Sequence, residues 1–290
     1  MTRATSTVVD VTLFLLLVGG AAAALVGGAA VDSPPAGNPA SERAELLATN
    51  TASVEYELVV PGTEPDWLAN GSARRQRTAH GTLAELLGGA TMSRVRIDGQ
   101  RISPAGRAFE SAVTATTKRR LRDRRRQTSV RVEWEPYPGA PVSSTLTLGT
   151  APPASADVRA ATISVASGVE DTTNSARPAA QSRGYRGVAS VVARAIVDGL
   201  FPPDRTRVTL HGDYPGDAIV AQRYQRTGTL SGAGDFAVES TPVTEMNREL
   251  TVALRAKLTD DMRSQFASPG AAAAAVDTQT VHITVRTWSP

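Results

Sequence analysis

The chain has 290 residues, of which 41% are apolar and only 4% aromatic, and its formal net charge is +3. That length supplies one large folded region or two small ones, with a core of Val, Leu, Ile and Ala rather than of rings. Cysteine is absent, which excludes disulfides and thiolate metal centres, and lysine is confined to Lys118 and Lys257 among 31 basic residues.

An apolar run from Val11 to Val31, interrupted only by Thr12, dominates the N-terminus. As a helix it measures roughly 30 Å, the thickness of a bilayer's hydrocarbon core. Residues 1–31 are therefore expected to form a signal and retained transmembrane helix. The competing reading is a secretory signal peptide, whose apolar region is shorter, about 7–15 residues. Ala22, Ala24 or Ala30 would then supply the small residue at a cleavage site. Gly20, Ala24 and Gly28 recur at four-residue spacing, so they share a helical face, and such a stripe lets two helices approach closely in lipid. The alternative is chance in an Ala-rich chain. Asp10 precedes the run; a carboxylate in hydrocarbon is costly unless paired or near the surface. It is either an assembly contact or a solvated group at the headgroup boundary. Arg3 and the α-amine on one side, against Arg43 with Asp32, Glu42 and Glu45 on the other, give a small bias toward a cytoplasmic N-terminus. The bulk of the chain is then extracellular.

The stretch Arg3-Ala4-Thr5-Ser6-Thr7-Val8-Val9-Asp10 resembles the class III signal of archaeal type IV pilins and related haloarchaeal membrane proteins. The resemblance implies a cut on the cytoplasmic side between Ala4 and Thr5, with the apolar helix retained. It also implies that Asp10 pairs with the freed α-amine of a neighbouring subunit. Thr7 stands where many haloarchaeal pilins have Pro, and Asp10 would follow the usual acidic position by one residue. Arg in place of Lys, abundant Ala and no Cys are similarly haloarchaeal in style, although such proteins are typically strongly acidic. The resemblance thus implies a pilin-like or minor-pilin-like subunit of an archaeal cell-surface assembly. Its partners would be the membrane and, through the helix, other pilin-like subunits or assembly machinery. The size of the outer region points to a minor subunit, tip component or stationary anchor rather than a filament's repeating unit.

Beyond the span, residues 32–41 (DSPPAGNPAS) read as a linker. The rest is expected to be α+β, mostly antiparallel strands with several helices, in two halves (42–168 and 185–290) joined by a linker or long loop at 169–184. In the first half, 54–60 alternates as a strand and ends at Pro61-Gly62. Asn70-Gly71-Ser72 is a glycosylation acceptor if external, or an ordinary turn. A short helix is expected at 81–87, stopped by Gly88-Gly89, then a strand at 93–97 and a turn at Asp98-Gly99. Ser103-Pro104 opens a helix toward Arg125. Strands are expected at 128–135, 145–148 and 160–165.

The stretch from Lys118 to Arg126 carries seven positive charges in nine residues. Arg119, Arg120, Arg122, Arg124, Arg125 and Arg126 are the candidate contact to phosphates, lipid headgroups or an acidic partner. The plainer reading is a solvated helix end, where cations complement the macrodipole. An external location argues against nucleic acid.

In the second half a helix is expected over 185–200, with Val188, Val191, Val192, Ala195 and Ile196 on its apolar face. A short strand at 207–210, a helix at 217–226 and a Gly-rich turn at 230–235 come next. A long helix over 243–266 places Leu250, Leu254, Leu258 and Met262 on one side, and 278–288 alternates as a final strand. Gln-Thr precedes that strand and the one at 128–135, and both end Trp-x-Pro, a pattern open to duplication or coincidence.

His80, His211 and His282 show no metal-ligand spacing, and neither a nucleophile elbow nor a Walker loop is present. Gly232-Ala-Gly234-Asp-Phe-Ala237 matches a dinucleotide fingerprint only in letters, without the flanking strand and helix. No catalytic residue, metal or cofactor is expected. A pilus-type subunit, a tethered binding module of unknown ligand and a basic nucleic-acid-binding protein are the three function classes left, the last least favoured.

Overall fold

The computed structural model describes residues 37–58, 76–123 and 126–289. The alternating segments become strands β3 (Arg96–Ile97), β4 (Gln100–Arg101), β5 (Gln127–Trp134), β6 (Val142–Leu148), β7 (Arg159–Ala166) and β8 (Thr280–Trp288). They form one antiparallel sheet in the order β4-β3-β6-β5-β8-β7. A separate hairpin pairs β1 (Thr51–Glu57) with β2 (Gln76–Thr82). On β8, Val281, Ile283 and Val285 are buried while His282 and Arg286 are exposed, so the pleat gives the sheet a core face and an open polar face.

Helices α1 (Pro39–Thr49) and α2 (Leu83–Met92) pack on the core face, α1 over β7 and β8, and α2 across β5 to β8. Helix α3 (Arg107–Leu121) lies against α2 and β1. The remaining described helices are α4 (Thr173–Leu200), α5 (Pro203–Leu210), α6 (Gly216–Ser231), α7 (Val243–Gln265) and α8 (Pro269–Ala274). Helices α4 and α7 pair, burying Val188, Val192 and Ile196 with Leu250, Leu254, Leu258 and Met262. These residues share one core cluster with Leu83 of α2 and with Val132 and Ile283 of the sheet. Pro39–Pro290 is one compact unit.

The mixed α+β composition and antiparallel pairing are as expected, and several finer expectations are corrected. Gly88-Gly89 does not stop α2, which is opened by a Thr82/Glu85 capping box and continues to Met92. A Cβ on Gly88 would lie 2.6 Å from Val165 Cγ2, so this glycine lets the helix settle onto β7. The 54–60 strand is shifted to Thr51–Glu57. The strand at 93–97 shrinks to Arg96–Ile97, although Asp98 and Gly99 do make the tight turn, with φ of 49° and 76°. Ser103 accepts the Ala105 N–H at 3.2 Å, which makes a turn of the Ser-Pro pair and delays α3 to Arg107.

Residues 169–184 are not a loop from Thr173 onward: α4 begins there and breaks only at Gly184 (φ 60°, ψ −148°), just before the amphipathic segment. The first segment buries only Ala176, Ala179 and Ala180, so it shows little apolar contrast. The strand at 207–210 is instead helix α5, started by Pro203. Val208 is 74% exposed, so its alternation with Leu210 reflects no buried face. The two strands that end in Trp-x-Pro, β5 and β8, are antiparallel neighbours, with Gln127 opposite Trp288. The sheet thus joins strands from both expected halves. The expected transmembrane helix and residues 32–36 of the linker lie outside the described residues, while Pro39, Ala40 and Ser41, expected as linker, already form the first turn of α1; among the described residues, no helix is long and apolar enough to cross a membrane.

Candidate functional site

The C-terminal end of α4 meets α5, α6, β1 and the turn before α3 around a cavity of about 410 Å³. Its walls are largely apolar, with Tyr56, Ile102, Phe109, Phe201 and Ile219, and carry the hydroxyls of Ser93, Ser103, Thr206 and Thr209. Two cations complete it, Arg205 from α5 and Arg223 from α6, and no lining residue is acidic.

Arg223 is the unusual group. It falls one helical turn after Ile219, on the same side of α6. Its guanidinium carbon sits 5.1 Å from the centre of the Phe201 ring, a cation–π arrangement. Its Nε is buried without a hydrogen-bond acceptor. Burial holds the guanidinium below its ordinary pKa, an effect only partly offset by Tyr224. Phe201 in turn stacks on Tyr224 at 4.2 Å between ring centres. The Tyr224 hydroxyl donates to Asn247 Oδ1 at 2.6 Å, and Asn247 Nδ2 donates to the Phe201 carbonyl at 2.8 Å. Burial pushes the Tyr224 phenol upward, with the nearby Asp198 charge adding to it. This network fixes the ring beneath Arg223.

The opposite side is braced by the buried Glu110 of α3. It accepts from Arg94 at 2.7 Å and from Arg101 at 2.8 and 3.0 Å, tying α3 to the β3–β4 hairpin. Those two arginines share one carboxylate; Arg223 and Arg205 have no ion pair among the described residues. The Ser93 and Thr209 hydroxyls already donate to the Ala90 and Arg205 carbonyls, so the cavity can supply guanidinium N–H donors, the Ser103 hydroxyl and positive charge beside an apolar surface.

The residues singled out from sequence lie elsewhere. Ala4, Thr5, Asp10, Gly20, Ala24, Gly28, Asn70, Arg124 and Arg125 are outside the described residues. Lys118, Arg119 and Arg120 occupy the exposed last turn of α3, and Arg119 donates to Thr116 Oγ1 at 2.9 Å. Arg122 and Arg126 are brought together at the rim of a smaller concavity of about 220 Å³, separate from Arg119 and Arg120. Asp123, within the same run, pairs with Arg43 of α1. The histidines sit on different elements: His80 bonds Ser53 at 2.6 Å, His211 caps α5, and His282 lies 3.4 Å from Asp277 on the open sheet face. Gly232, at φ 85°, ends α6, and the N–H groups of Gly232, Ala233 and Gly234 all point to the Gly228 carbonyl. That glycine run is a helix cap whose donors are already used.

Sequence reasoning missed Arg223 and Phe201. The available signal was a cation at a position where helical spacing from Ile219 asks for an apolar side chain. Its neighbours across the cavity are too distant in sequence to be read.

No curated protein and no solved structure gives a significant match to the chain. A protein-family match does run from residue 9 to residue 288, taking in both the N-terminal apolar run and every described strand and helix. With nearly its whole length inside that match, the chain belongs to a family of unknown function, DUF7284.

Proposed function

We propose that this protein is a single-pass, membrane-tethered extracytoplasmic subunit of an archaeal cell-surface assembly, with a pilin-like anchor and no catalytic role. The observation that carries this reading is the order of parts. An uncharged apolar run ends at Val31, a Pro-rich stretch comes next, and a compact unit with its own core begins at Pro39. The basic–small pair Arg3-Ala4 ahead of the run supports processing before the helix rather than after it. A unit of eight described helices and eight strands suits a minor subunit, tip component or stationary anchor better than a repeating filament unit.

N-terminal sequencing of the membrane-extracted protein tests this. The expected mature chain begins at Thr5 and co-purifies with surface filaments or their assembly machinery. A start after Ala24 or Ala30 would mean a conventionally secreted protein, and an intact Met1 or Thr2 a plain anchor. Either result overturns the pilin-like reading. The second reading, a tethered binding module, is favoured by the cationic cavity.

A further inference from the structure

The cavity between α4, α5, α6 and β1 combines features that a packed interior ordinarily avoids. Charged groups removed from water are paired or hydrogen-bonded, because an uncompensated one is costly. Arg94 and Arg101 have a carboxylate partner in Glu110, although the Arg94 Nε also lacks an acceptor. Arg223 has no carboxylate partner among the described residues: its Nε is buried and without an acceptor, and its guanidinium lies over Phe201 at the wall of an open volume. Arg205, on a different helix, adds a second cation to the same wall. Ser93, Ser103 and Thr209 bring hydroxyls to it, and Tyr56, Phe109 and Phe201 bring rings. A volume of about 410 Å³ falls within the size range of small-molecule pockets.

We propose that this cavity binds a small amphiphilic anion, a carboxylate or phosphate monoester carrying an aromatic or short aliphatic body. The anionic head sits against Arg223 and Arg205 and receives their N–H groups, and the apolar body lies between Phe109, Phe201 and Ile102. Bidentate acceptance from a planar guanidinium is the geometry that carboxylates and phosphates offer. The proposal extends beyond the tethered-subunit reading and does not require it.

The test uses the full chain in lipid nanodiscs and water-soluble probes, read by titration calorimetry and by the thermal midpoint. Phenyl phosphate and phenylacetate are expected to bind saturably and to raise the midpoint. 2-Phenylethanol, which has the body without the charge, and inorganic phosphate, which has the charge without the body, should each bind at least about tenfold more weakly. Phenethylammonium should not bind. Arg223→Met is expected to weaken phenyl phosphate at least about tenfold while leaving the unliganded midpoint unchanged or higher, because it removes a half-buried guanidinium whose Nε has no acceptor. A merely structural arginine would lower the midpoint instead. Arg205→Gln, at an exposed position that cannot disturb the core, should weaken the same probe by a smaller factor and decides the matter if Arg223→Met does not fold. No saturable binding by either anion, equal binding of 2-phenylethanol, or unaltered binding in the arginine variants overturns the proposal.

Discussion

Placing a methyl group on Gly88 brings it 2.6 Å from Val165 Cγ2, inside the contact between α2 and β7. Helix propensity alone would favour alanine at that position by about 1 kcal/mol. Overpacking a close contact costs about 1–3 kcal/mol, so Gly88→Ala is expected to be net destabilising. A urea melt of the single variant and of Gly88→Ala/Val165→Ala checks it: the single lowers the midpoint, and the double restores most of the loss. A stabilised single variant would show that the close approach is not what requires glycine here. Two tyrosines set the alkaline limit. Burial pushes the Tyr137 phenol above its ordinary pKa, helped by its 2.9 Å hydrogen bond to Asp261, and burial does the same to Tyr224. Unfolded tyrosine ionises near pH 10. Above about pH 10 the unfolded chain has released protons that the folded chain still holds, so stability falls as pH rises. The slope reaches about 1.4 kcal/mol per pH unit for each tyrosine. Replacing either residue with phenylalanine should flatten the decline between about pH 10 and 11.5, measured by urea melts; an unchanged slope would remove these groups as its cause.

Glu110 is the connection through which α3 holds the β3–β4 hairpin. Its side chain is 8% exposed while those of Arg94 and Arg101 are 21% and 18%, so the ion triad is only partly screened. Glu110→Gln keeps the shape but leaves two arginines uncompensated, with an expected cost of about 2 kcal/mol or more in a chemical melt. Loss of β8 should be more severe. That strand pairs with β5 on one side and β7 on the other and buries Val281, Ile283 and Val285. A chain ending before Thr280 is expected to lose the cooperative melt; retention of a native-like transition would refute the central role given to β8. The elements legible in the sequence were those with strong apolar contrast. The Leu250, Leu254, Leu258, Met262 stripe read directly as α7, and the alternation at 280–288 as β8. The first segment of α4 was opaque because alanine fills its buried face. At α5, the short Val208-x-Leu210 alternation imitated a strand although a proline had already started a helix.

At the scale of the molecule, the candidate site shows where reading a sequence runs out. Tyr56, Phe109, Phe201 and Arg223 come from four parts of the chain and meet only because the α4–α7 pair and the sheet layer share a core. No spacing rule relates them. The basic run from Lys118 to Arg126 was conspicuous in the sequence, yet its described members divide between a solvated helix end and a small concavity. The less conspicuous Arg223 occupies the larger cavity.

The position of β8 also bears on folding during synthesis. A polypeptide leaves the ribosome N-terminus first, and here a strand from the interior of the sheet is the last of the described strands to emerge. Until it arrives, β5 and β7 each have an open edge and the apolar face between them has no floor. Among the described strands, docking of β8 is therefore the step that closes the sheet. The order of synthesis and the order of closure coincide at this strand, whichever compartment the chain folds in.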